Sequence, residues 1–278
     1  MKDTKTQIFV AKGYSPWFNS NWGNSYYEYM DIWEDSSHVV NVDESIPGQA
    51  SVTCDGNITN MSSMFNLTHL TSLDLSNFDA SNVWNMSSMF EDCRNLTSID
   101  LSNFNTSKVS NMAWMFSGCC NIASIDLSSF DTSNVITMDS MFSYCDILTK
   151  LDLSSFDTSK VEDMNFMFGF SENLITLDLS NFDTSNVYIT YAMFSDCPSL
   201  TSLDLSSFDT SKVINMSYMF YNCPRLTTIK GVIDMKSCEY CGNMFTNCPR
   251  LTGVKIKNPP SGFEINACIS KSQYTIVS

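Results

Sequence analysis

With 278 residues, 30 acidic side chains against 15 basic ones and a net charge of −15, the chain lacks the clustered Lys and Arg that affinity for phosphates requires. Nucleic acid is therefore not an expected partner. No apolar run approaches the roughly 18 residues of a membrane span, so membrane insertion is not expected either.

The first 30 residues lack the apolar h-region of a signal peptide, so no export signal is expected. Between Tyr14 and Trp33 the chain places Trp17, Phe18, Trp22, Tyr26, Tyr27 and Tyr29 among Gly, Asn and Ser. Residues 1–51 are predicted to cap the open end of the repeat array that follows. Docking onto another chain is the second reading, because an uncapped end exposes core and strand edge.

From about residue 52 to 256 one 26-residue phrase recurs, spelled LTSLDLSNFDASNVWNMSSMFEDCRN on its first clear pass. Leu70, Leu96, Ile122, Leu148, Leu174, Leu200 and Leu226 mark its period. Six copies are nearly complete, a half copy ends at Phe65, and residues 227–256 form a decaying copy. One such unit cannot bury its apolar face alone, whereas stacked units share a core, so residues 52–256 are predicted to be one solenoid.

Within each copy, Leu73 and Leu75 alternate with Ser72, Asp74 and Ser76, which predicts a short strand with one face inward. Val83, Met86, Met89 and Phe90 follow at i, i+3, i+6 and i+7, which predicts a short helix or helical turn. Met in these columns reads as core filler and not as a metal ligand.

Cys93, Cys119, Cys145, Cys197, Cys223 and Cys248 form a column in which one copy has Ser171 instead. Side chains stacked on successive copies point the same way, which is poor disulfide geometry, so buried free thiols are expected. Cys238 and Cys241 form a CEYC followed by Cys248, for which a zinc or redox reading competes with packing. Only three thiols are local and Cys241 falls where earlier copies put core Met216, so packing is favoured. No metal site and no cofactor are expected.

The Asp74 column is predicted to project from the open face, its repulsion relieved by hydroxyls such as Ser72 two residues earlier, with calcium binding along the ladder the competing idea. The Asp79 and Asn105 column, usually Asp-Thr-Ser, is predicted to form Asx-turns or helix caps. Asn82, Lys108, Asn134, Lys160, Asn186 and Lys212 alternate, which keeps like charges off adjacent copies.

Function is expected where the copies differ, because scaffold demands are the same in each. Trp84, Trp114, Phe166, Tyr188, Tyr191 and Tyr218 fall in the variable segment after Val, at positions directed away from the core. Together they predict an aromatic binding patch, with rings tucked between copies as the alternative. Residues 257–278 break the pattern at Pro259 and Pro260, end in a strand-like stretch from Tyr274 to Val277, and are predicted to form the opposite cap. The chain shows no nucleophile elbow, phosphate loop or HExxH, and its two His residues are His38 and His69, so it is not expected to be an enzyme.

The phrase LDLSxFDTSxVxxMxxMFxxCxxL, over about residues 57–252, resembles the repeat of the BspA-type leucine-rich-repeat surface proteins, once catalogued as a domain of unknown function in mycoplasmas and lactobacilli. The resemblance implies an α/β repeat fold: a right-handed leucine-rich-repeat solenoid with a parallel sheet on one face and short helices on the other. It also implies adhesion, a partner that is a protein or glycan on a cell surface, and an extracellular, cell-surface or virion location. A phage tail or head-fibre component, assembling through the N-terminal segment, is the runner-up. An intracellular protein-binding scaffold is the third reading.

Overall fold

The computed structural model describes residues 39–43, 49–54, 56–66, 70–75 and 78–278. The aromatic segment from Tyr14 to Trp33, with its expected capping role, lies outside the described residues.

The chain is a stack of repeats joined by small parallel sheets. Strand β1 (Val39–Asp43) pairs antiparallel with β2 (Gln49–Cys54), and β2 pairs parallel with β3 (Ser72–Asp74), itself parallel to β4 (Ser98–Ile99). Further along, β5 (Ser202–Asp204) pairs with β6 (Thr228–Lys230), and β7 (Val232–Asp234), β8 (Val254–Lys257) and β9 (Tyr274–Ile276) form a third parallel sheet. The register follows the repeat: Leu73 faces Ile99, and Leu203 faces Ile229. Strands were expected in every copy, yet none forms at 124–127, 150–153 or 176–179, although Ile125 and Leu151 still point into the core.

A second ladder runs through every copy without interruption. Single parallel bridges link Asn60 to Asn85, Asn85 to Asn111, and so on through Thr137, Asp163, Ile189 and Asn215 to Tyr240.

The predicted helices are absent. Among the described residues the single helix is α1 (Phe263–Asn266), and the segment from Met86 to Leu96 is a run of tight turns. The Met89 N–H donates to Met86 O at 3.3 Å and the Cys93 N–H to Phe90 O at 3.2 Å. Alternate amides leave the copy altogether: Met86, Ser88 and Phe90 donate to Asn111, Ala113 and Met115 of the next one, at 2.8–2.9 Å. A helix would keep those amides in its own i−4 bonds. Residues with positive φ at Ser88 (55°) and Asp92 (55°) also reverse the chain, as the third position of a type II turn requires. Turns that return the chain every three residues give the same inward spacing as a helix.

The core is one continuous cluster running through the copies. Phe65, Phe90, Phe116, Phe142, Phe168, Phe194, Phe220 and Phe245 stack in file with centroids 5.5–6.1 Å apart and planes within 14°. The Met and Val columns beside them, Met86, Met89 and Val83 in the first full copy, are completely buried. Each such side chain contributes about 1.5–3 kcal/mol by leaving water, which is why the copies hold together with little regular sheet.

Four polar columns fix the corners. Asp100 Oδ1 accepts from the Ser102 N–H at 3.0 Å, and Asp126, Asp152, Asp178 and Asp204 repeat the contact. The donor is thus the serine two residues later, not the one two residues earlier. Bonds from the Ser102 backbone and hydroxyl hold the Asp100 carboxyl below its ordinary range. The second column forms the expected Asx-turns, for example Ser81 N–H to Asp79 Oδ1 at 2.9 Å. The intervening threonine does more than the sequence suggests: buried Thr132 donates to Asp157 O and accepts from Asp157 N–H, both at 2.8 Å. The Asn/Lys alternation is a hydrogen-bond relay, with Lys108 Nζ donating to Asn82 Oδ1 at 2.6 Å and Asn134 Nδ2 donating to Ser107 O at 2.8 Å.

The ten cysteines from Cys93 to Cys268 are free thiols. The column members donate across copies, Cys93 to Phe65 O at 3.1 Å and Cys145 to Phe116 O at 3.3 Å, and Ser171 makes the same bond to Phe142 O at 3.1 Å. Burial raises their pKa, to about 12 at Cys197 and about 11 at Cys248.

Candidate recognition surface

The turn that replaces the helix creates two columns in which every residue holds positive φ. The first contains Ser88, Trp114, Ser140, Phe166, Ala192, Tyr218 and Asn243, with φ from 48° to 62°. The second contains Asp92, Gly118, Tyr144, Phe170, Asp196, Asn222 and Asn247, with φ from 54° to 73°. Left-handed backbone favours Gly and Asn and is unfavourable for bulky side chains. The columns themselves show that Ser, Gly, Asp or Asn satisfies the turn. Trp114, Phe166, Tyr218, Tyr144 and Phe170 therefore sit at positions where the fold asks for something smaller.

Five of the rings in and beside these columns join into one surface with a sixth, Tyr221. Tyr144 stacks on Phe170 at 4.5 Å, Phe170 meets Phe166 at 5.9 Å, and Phe166 meets Tyr191 edge-on at 5.1 Å. Tyr191 continues to Tyr218 at 5.6 Å, and Tyr218 to Tyr221 at 5.4 Å. These are favourable aromatic separations, so the chain of rings is pre-assembled. Tyr144 is 39% exposed and the others are half-buried. Asn243 Nδ2 donates to the Tyr218 hydroxyl at 3.0 Å and fixes that ring.

The rim is acidic. Burial pushes the Tyr144 hydroxyl pKa up, and the charges of Asp196, Asp146 and Asp92 push it further. Burial likewise raises Asp146, assisted by Glu172. Asp92 is paired with Arg94 at 3.0 Å, and Asp196 accepts from Asn222 Nδ2 at 2.7 Å.

Of the six residues expected to form one patch, the structure brings together Phe166, Tyr191 and Tyr218. Trp114 lies on the same column but is tied separately, its ring N–H donating to Asp139 Oδ2 at 3.0 Å. Trp84 and Tyr188 belong to a different outward column, where with Ile136 and Ile214 they are 38–49% exposed. Tyr144, Phe170 and Tyr221 escaped the sequence reading. The signal was there: Tyr144 and Phe170 are one period apart, four residues beyond the column that was read.

Among the described residues no group of three or more His, Cys, Asp or Glu side chains is placed to hold a metal ion, and no helix is long and apolar enough to cross a membrane. Residues 53–151 and 148–257 each match the model of a family described as "Mycoplasma protein of unknown function, DUF285". No curated protein matches the chain.

Proposed function

Because the chain belongs to this family of unknown function and carries six joined rings, four of them at turn positions that smaller residues satisfy, we propose that it is a non-catalytic recognition module binding a partner on a cell surface. On this reading the stacked repeats are a BspA-type leucine-rich-repeat solenoid, right-handed, with the parallel sheets on one face and the turn columns on the other. The observation that carries the reading is the left-handed backbone at Tyr144, Phe166, Phe170 and Tyr218. Bulky residues kept in such backbone cluster at binding and active sites.

The acidic rim narrows the partner. Carboxylates beside aromatic faces attract ammonium and guanidinium groups, so a protein presenting Lys or Arg fits better than an anionic glycan. The test is binding of labelled protein to intact bacterial and host cells, with Phe166→Ser/Tyr191→Ser/Tyr218→Ser set against Trp84→Ser/Tyr188→Ser. Loss in the first variant alone assigns recognition to the ring chain, and loss in the second alone moves it to the other column. Undiminished binding by both would refute the aromatic surface as the recognition site.

A further inference from the structure

The last full turn departs from the repeat at two core positions at once. In five of the six preceding copies the inward pair three residues apart is Val then Met, from Val83 and Met86 through Val213 and Met216, and in one it is Val187 and Thr190. Here the pair is Cys238 and Cys241. The bridge from Asn215 to Tyr240 keeps this turn in register with its predecessor, so the two sulfurs occupy neighbouring core slots. Both are buried, and the Cys238 thiol donates to Tyr240 O of its own turn at 3.3 Å.

These thiols differ from the others. Column members such as Cys145 and Cys248 give their proton to a backbone carbonyl of the previous copy, and burial holds them protonated. The Cys241 thiol is shifted down, because the adjacent Cys238 thiol can turn its proton toward the Cys241 sulfur. Access is available as well: Cys238 lines an open groove of about 540 Å³ together with Tyr188, Lys212, Ile214, Lys236 and Glu239. The two lysines give that groove a local affinity for small anions in an otherwise acidic protein.

We propose that Cys238 and Cys241 form a redox-active dithiol that exchanges with small anionic disulfides of the glutathione type. In the reaction both protein S–H bonds break and one intramolecular S–S bond forms. The S–S bond of the small disulfide breaks, and its two halves leave as thiols carrying the two protons and two electrons. A thiolate held next to a second thiol is the arrangement that performs this exchange in C-x-x-C sequences. Oxidation would pin the outward Glu239–Tyr240 dipeptide between the two cysteines, where Tyr240 is 58% exposed.

Titration of the reduced protein with glutathione disulfide, followed by alkylation and peptide mapping, tests the proposal. The expected result is loss of two thiols as a Cys238–Cys241 disulfide while Cys145 and Cys223 remain reduced. In Cys241→Ser the mapping should find glutathione trapped on Cys238, the thiol that lines the groove. The variant Cys238→Val/Cys241→Met restores the residues of earlier copies and should fold with an undiminished melting temperature and form no such bond. Oxidation confined to exposed Cys268 and half-buried Cys120, with Cys238 and Cys241 still free at equilibrium, would overturn it.

Discussion

The ring of Tyr144 lies flat on that of Phe170, with centroids 4.5 Å apart and planes 1° from parallel, although both residues hold left-handed backbone at φ 55° and 60°. Their shared column is Gly118 one copy earlier and Asp196 one copy later, so the turn itself demands no ring. The stacking contributes about 0.5–1.5 kcal/mol, whereas left-handed backbone costs about 1–2 kcal/mol for an ordinary side chain.

Tyr144→Gly should therefore change stability by less than about 1 kcal/mol, since relief of the backbone cost offsets the lost ring contact and the added unfolded-state entropy of glycine. A buried ring that served the core would cost about 3–5 kcal/mol on removal. Urea unfolding of the variant distinguishes the two.

The Cys column should tolerate serine and resist alanine. Ser171 shows that a hydroxyl reaches the same carbonyl, so Cys145→Ser should cost about 1 kcal/mol or less. Cys145→Ala leaves Phe116 O without that donor and should cost about 1–2 kcal/mol more. Equal destabilisation by both substitutions in denaturant unfolding would show that the hydrogen bond is immaterial.

Thr158 both donates to Asp183 O and accepts from Asp183 N–H, at 2.9 Å each. Thr158→Val keeps the shape and strands both groups, at an expected cost of about 2–3 kcal/mol. Thr158→Ser, which retains the hydroxyl, should recover most of it. A valine variant as stable as the native chain would contradict the role assigned to this column.

Two carboxylates make stability fall as pH rises. Burial pushes Glu91 from 4.5 up to about 7, and burial pushes Asp139 from 3.8 up to about 6. Each folded-state pKa lies above its unfolded value, so the folded chain holds more protons between the two, and stability is lost as pH climbs through 4.5 to about 7 and 3.8 to about 6. Below 3.8 the sign reverses, because Asp100 and Asp126 have lowered values and protonating them removes their bonds to Ser102 and Ser128. Melting temperatures should thus be higher near pH 5 than near pH 8, and Glu91→Gln/Asp139→Asn should flatten that limb. A melting temperature that rises from pH 5 to pH 8 in the native chain would rule this out.

The period, the core columns and the Asx corners were legible because each is a residue type recurring at a fixed spacing for a single physical reason. Leu73, Met86, Phe90 and Asp79 read correctly for that cause. The helix was not separable from turns by spacing alone, because Val83, Met86, Met89 and Phe90 return to one side every three residues, a pattern that successive turns produce as well as a helix does. What distinguishes them is positive φ, and sequence rules exclude Trp114 and Phe166 from it. The same exclusion hid Tyr144 and Phe170. The donor for Asp100 was assigned to the wrong serine because the corner begins directly after the strand residue, so the next turn amide is nearer than the strand hydroxyl.

The most direct measurement is the binding of native protein and a Tyr144→Gly/Phe166→Gly/Phe170→Gly variant to the same cell panel, with melting temperature recorded for both. The account predicts that the variant melts within a few degrees of the native chain and loses cell binding. Unchanged binding with a large drop in melting temperature would mean that the rings serve the fold, and would contradict the assignment of this surface to recognition.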